Sequence, residues 1–124
     1  MELVNPTDCP PQNPSYSQAA VSRGTVYVAG QIGIDPESGQ LVSGDIGEQT
    51  ERIFDSATRI LEAAGSGLDR VVRVGVFITD LGDWSAMNDV YVRRFGSHAP
   101  PKSTVEVSAL ALGARVEIEF TAES

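Results

Sequence analysis

The sequence predicts an α+β domain in which two helices lie on the apolar face of one sheet. Three observations predict it: runs of alternating hydrophobicity at both ends and in the middle, two stretches of helical period between them, and no internal repeat. At 124 residues the chain is expected to be one domain, residues 1–124, with room for a modest core. Apolar residues make up 41% and aromatics only 6%, so the core must come from Val, Ile, Leu and Ala. A core of that kind gains stability by association with copies of itself.

The N-terminal residues 1–14 read as an extended lead-in, because Pro6, Pro10, Pro11 and Pro14 oppose regular structure. Tyr16 to Val21 and Thr25 to Gly30 then read as a hairpin, with Gly24 supplying a positive φ in the turn. The run Asp35-Pro36-Glu37-Ser38-Gly39 is a second turn, flanked by residues 31–34 and 40–42. From Asp45 the period changes: Ile46, Ile53, Phe54, Ala57, Ile60, Leu61 and Ala64 share one helical face. Asp45 and Glu48 form a capping-box pattern, and Gly65 stands where a helix stops.

Val72, Val74, Val76 and Ile78 alternate with Arg73, Gly75, Phe77 and Thr79, as in a strand buried on one face. A second helix is expected from Asp83 to Gly96, with Trp84, Met87, Tyr91 and Phe95 as its stripe. Two strands close the chain, Lys102 to Val107 and Arg115 to Thr121. The open face of the sheet should carry Glu117 and Glu119, with the residues that alternate with Val105 and Val107.

Composition excludes several functions. A net charge of -8 with no dense basic run opposes nucleic-acid binding and adsorption to anionic membranes. No signal-peptide pattern or membrane-length apolar run is present, so a cytoplasmic location is expected. Cys9 is the only cysteine and reads as a tolerated thiol; no Cys-based metal site can form from it. His98 is the only histidine, which excludes a catalytic histidine pair, and it reads as a surface loop residue.

Chemistry must therefore fall to carboxylates, hydroxyls, amides, backbone groups and a Lys or Arg. Lys102, after Pro100-Pro101, reads either as a surface lysine lying along apolar surface or as a held cation. Glu117, between Val116 and Ile118, is either a solvated carboxylate or a placed one. Asn88, at the edge of the second helical stripe, is a buried amide or a ligand contact.

Several ordered runs are similar to the RidA/YjgF family of reactive-intermediate deaminases. They are Tyr16-Ser17-Gln18-Ala19, Val28-Ala29-Gly30-Gln31-Ile32, Gly44-Asp45-Ile46, Glu48-Gln49-Thr50 and Leu61-Glu62-Ala63-Ala64-Gly65. Val76-Phe77-Ile78-Thr79-Asp80, Met87-Asn88-Asp89-Val90-Tyr91, Pro101-Lys102-Ser103-Thr104-Val105-Glu106-Val107 and Val116-Glu117-Ile118-Glu119 continue the match to the C-terminus.

The resemblance implies a chorismate-mutase-like α+β fold, a homotrimer with small-molecule clefts between subunits, and hydrolysis of 2-imino acids or enamines to 2-keto acids and ammonia. It implies no metal and no organic cofactor. It places Lys102 where the family has an arginine that grips the substrate carboxylate, and Glu117 where a carboxylate orients water. Tyr16, Gly30, Asn88 and the backbone at Thr104 match cleft-lining positions. Arginine binds a carboxylate through a planar fork, whereas lysine offers a point charge on a flexible stem. The resemblance therefore implies a weak deaminase, or alternatively a non-catalytic trimer that binds a small carboxylate or keto acid.

Overall fold

The computed structural model describes residues 1–9 and 13–124. The described residues form a six-stranded sheet from β1 (Glu2–Val4), β2 (Ala19–Ser22), β3 (Thr25–Gln31), β4 (Val71–Ile78), β5 (Lys102–Glu106) and β6 (Val116–Glu123). Its spatial order is β1-β2-β3-β6-β4-β5. Only β4 and β5 pair in parallel; the other pairings are antiparallel. Two α-helices, α1 (Ile46–Ala63) and α2 (Trp84–Phe95), connect the strands and pack on one face. The predicted α+β class is therefore the observed one.

Residues 2–4 differ from expectation: they are a strand paired with β2, within a segment read as irregular from its prolines. Pro6 follows the strand and does not interrupt it, while Pro10 and Pro11 lie outside the described residues. In the β2–β3 hairpin Ser22 pairs with Thr25, leaving Arg23 and Gly24 as a two-residue turn at φ 52° and 79°. Both residues take the positive φ that matches strand twist in such turns.

Asp45 caps α1 by accepting from the Glu48 amide at 2.8 Å. Only half of the expected box forms. Glu48 accepts from the Ser43 hydroxyl, and that hydroxyl in turn accepts from the Asp45 amide. Gly65 ends the helix at φ 80°, with Ser66 and Gly65 amides donating to Leu61 and Glu62 carbonyls. Asp45→Ala is expected to cost about 1 kcal/mol in a denaturant titration, since it frees one orphan amide.

The core lies between the helices and the sheet. Phe54, Ile60, Val74, Ile78, Met87, Ile118 and Phe120 are all fully or almost fully buried. Phe54 meets Tyr91, Phe95 and Phe120 edge-on at 5.7, 5.3 and 5.7 Å between centroids. At the start of β4 the expected alternation slips. A bulge between Val71 and Arg73 buries Val71 and leaves Val72 exposed.

Candidate functional site

The site residues derive their placement from β5 and β6, which flank β4. On β6, Val116, Ile118 and Phe120 face the helices, so Glu117 and Glu119 face away. Glu117 stands opposite Phe77 on β4 and beside Gly30 on β3. A Cβ at Gly30 would lie 2.5 Å from Glu117 Oε2. Glycine is thus what lets the carboxylate lie across β3. Burial, followed by repulsion from Glu119, pushes the Glu117 carboxyl above the ordinary carboxylate range.

Lys102 opens β5 on the other side of the sheet. It stands opposite Val74, a core residue, and shares its face. This corrects the expected arrangement of the open face. Val105, opposite Phe77, lies on the open face, while Lys102 and Thr104 turn toward the helix layer. Alternation cannot reveal this, because β5 is an edge strand where α2 presents polar and aromatic groups rather than a closed apolar wall.

Lys102 Nζ donates to Asn88 Oδ1 at 2.7 Å and lies 4.0 Å from the Tyr91 ring centroid. Partial burial draws its pKa below the usual lysine range. The acceptor oxygen and the negative ring face both favour the ammonium and oppose that pull.

The six residues singled out in the sequence thus divide into two groups. Lys102, Asn88 and Thr104 cluster at the β5 edge on the helix side. Glu117 and Gly30 meet on the open side, where Gly30 and Tyr16 line one cavity of about 270 Å³ with Gln31, Ile32, Ile34 and Leu112. Tyr16 also lines a second, more open cavity of about 560 Å³ with Leu3, Ala20 and Tyr27. Tyr27 and Val105, 54% and 48% exposed, leave the open face partly apolar.

Sequence reasoning missed three contributors. Tyr91 and Trp84 read as core stripe, yet their rings flank Lys102; their spacing around Asn88 on one helical face was the available signal. Gln49 gave no such signal. Fully buried, it donates to the Ser43 carbonyl at 2.9 Å and accepts the Arg115 amide at 3.0 Å. It thereby ties α1 to the residue that enters β6, two positions before Glu117.

His98 is not simply a surface residue. Half-buried, it donates through Nε2 to the Val71 carbonyl at 2.6 Å and packs against Phe95. Cys9 is buried with its thiol pushed up chiefly by that burial, which makes it unreactive. Asp83 gives no side-chain cap to α2; its carboxylate is engaged by Arg115 at 2.6 Å instead. Among the described residues, no three His, Cys, Asp or Glu side chains converge as a metal site requires. No helix among the described residues is long and apolar enough to cross a membrane.

One β-sheet backed by two helices, with a lysine–asparagine pair at its edge and a carboxylate on its open face, defines a class. The family model described as Endoribonuclease L-PSP matches residues 7–124. A RutC family protein of Pyrococcus abyssi is 47% identical over 107 residues, covering 86% of this chain and 84% of that one. Human 2-iminobutanoate/2-iminopropanoate deaminase is 41% identical over 107 residues, covering 86% and 78%. The crystal structure of RidA from an Antarctic Psychrobacter superposes with a TM-score of 0.95 at 36% identity, covering 100% of both chains. The chain belongs to the RidA/YjgF/RutC family.

Proposed function

We propose that the protein is a 2-imino acid deaminase, acting as a homotrimer whose sites are completed between copies. The observation that carries the reading is the division of its charged groups. Lys102 and Glu117 lie on opposite faces of one sheet, so a single chain does not bring them to one substrate. An edge strand beside a partly apolar open face supports completion by a neighbouring copy. The name of the human relative supports the substrate class.

In this reading Lys102 holds the substrate carboxylate and orients C=N. Glu117 takes a proton from water as the water oxygen bonds to the iminium carbon. The C–N bond becomes single and the nitrogen receives that proton from Glu117. The C–N bond then breaks as the carbinol hydroxyl gives its proton to Glu117 and C=O forms, which returns the proton that distinguishes the iminium from the neutral imine. Imine and water thus give 2-keto acid and ammonia, with no oxidant or cofactor in the balance. A carboxyl pushed up by burial is a stronger base than an ordinary glutamate, which suits the task.

The test is subunit complementation. Lys102→Ala and Glu117→Gln chains are each expected to release negligible ammonia from 2-iminopropanoate generated in situ. Unfolded together in equal amounts and reassembled, they should recover about a quarter of wild-type activity, the fraction of interfaces that receive both intact residues. No recovery from well-folded mixed trimers would count against the shared site. Wild-type turnover no faster than background would count against the deaminase itself.

Lys102→Arg separates a second reading, carboxylate or keto-acid binding without turnover, which the absence of the guanidinium fork favours. Orientation-limited catalysis predicts a higher kcat in Lys102→Arg with a modest change in KM. A binding protein predicts ligand-dependent thermal shifts and no turnover in either form.

A further inference from the structure

Lys102 is the only lysine of the chain; every other basic side chain among its nine Lys and Arg residues is an arginine. Among the described residues no carboxylate forms an ion pair with it. Aromatic groups surround it instead. Its Nζ lies 4.0 Å from the Tyr91 ring centroid and 5.6 Å from that of Trp84, and it donates a hydrogen bond to Asn88 Oδ1 at 2.7 Å.

The Tyr91 ring is itself immobilised. It is 5% exposed, meets Phe54 edge-on at 85° and packs against Phe95 at 4.8 Å. Its hydroxyl is buried and has no hydrogen-bond partner among the described residues. Burial of an unpaired phenol costs stability, so the hydroxyl is not what this position uses. The ring face is.

We infer that Tyr91 and Trp84 are positioning residues that seat the Lys102 ammonium and supply the fixed direction that a guanidinium fork supplies through its own planarity. The inference rests on the proposed role of Lys102 in holding the substrate carboxylate. An ammonium has three donors. One is used by Asn88 and the Tyr91 ring face, 4.0 Å away, covers a second side of the ammonium, which leaves one donor for one carboxylate oxygen. Ligand recognition here is therefore by one oxygen of a small carboxylate, with the exposed Trp84 edge as an apolar wall beside it.

The sole lysine makes the test direct. In protein labelled with ¹³C-lysine, the single Hε resonance should lie upfield of free lysine, because ring current displaces protons held over an aromatic face. That displacement should persist in Tyr91→Phe and fall to the smaller Trp84 contribution in Tyr91→Leu. Trp84→Leu, at a position 40% exposed, guards against loss of the fold and should reduce the displacement partially.

The same resonance reports binding of 2-oxobutanoate, the keto acid corresponding to 2-iminobutanoate. Affinity should fall about three- to tenfold in Trp84→Leu and Tyr91→Leu and stay near wild type in Tyr91→Phe. In turnover, the loss should appear in kcat more than in KM. An Hε resonance at the free-lysine position in the wild type overturns the inference. So does wild-type affinity for 2-oxobutanoate in the folded Leu variants. Wild-type protein that hydrolyses no imine defeats the deaminase reading alone, since the ring-current and affinity measurements still decide the seating of Lys102.

Discussion

Glu117→Gln is expected to make the protein more stable at neutral pH while removing the imine hydrolysis proposed for it. Burial and the neighbouring Glu119 raise the carboxyl pKa in the folded state above that of the unfolded chain. Below the unfolded value, about 4.3, both states are protonated and folding bears no penalty. As pH rises through that value the unfolded chain ionises first, and stability falls until the folded carboxyl ionises too. The full penalty is therefore present at neutral pH, and glutamine avoids it.

The advantage of the variant in thermal melts should be complete near pH 7 and absent near pH 3. Groups that act the other way are shared by both proteins. Glu51, held down chiefly by Arg94, loses its contribution on acidification in variant and parent alike. The difference between the two proteins at each pH therefore isolates Glu117. Loss of the base should lower kcat/KM by about a hundredfold to ten-thousandfold. The parent's profile should be bell-shaped, with an acid limb above the ordinary carboxylate range and an alkaline limb below the ordinary lysine range. A variant that is less stable at neutral pH, or as active as its parent, contradicts the role given to this residue.

Gly30→Ala is expected to reduce turnover about a hundredfold with little loss of stability. Gly30 does not adopt a positive φ, so alanine meets no backbone strain there. The added Cβ would lie 2.5 Å from Glu117 Oε2 and 2.8 Å from Cδ. That clash is relieved by moving the end of one side chain, which is cheap for the fold and costly for a placed base. Gly75→Ala is the matched control. Its Cβ would approach Glu119 Oε1 at 3.0 Å, so it disturbs the adjacent carboxylate instead. Turnover should fall in the first variant and persist in the second. Equal loss in both would mean that the open face is perturbed as a whole and Glu117 holds no special place.

The elements themselves were legible because each depends on local signals. The α1 stripe, Gly65 after it, and the alternation of Val116, Ile118 and Phe120 all act within a few residues. The misses have local or nonlocal causes that can be named. Ser43 intercepts the reciprocal half of the capping box, standing between the Glu48 carboxylate and the Asp45 amide. A bulge exchanges the environments of Val71 and Val72. Gln49 gains its meaning only because the Arg115 amide needs a buried acceptor.

For the candidate site, the pattern of the last strands and second helix singled out Lys102, Glu117 and Asn88, and the family resemblance supplied the roles proposed for them. Their grouping could not be read from the sequence. Sequence alone determined that two carboxylates share one face of β6, because side chains alternate with a period of two along any strand. Only the tertiary structure decided which face β5 turns to the helices. An edge strand touches one neighbour, and its register against β4 is set by the whole chain that lies between. That register separates Lys102 from Glu117 and places Lys102 against Tyr91 and Asn88. It is decided by which packing buries the most apolar surface while leaving most buried polar groups a partner.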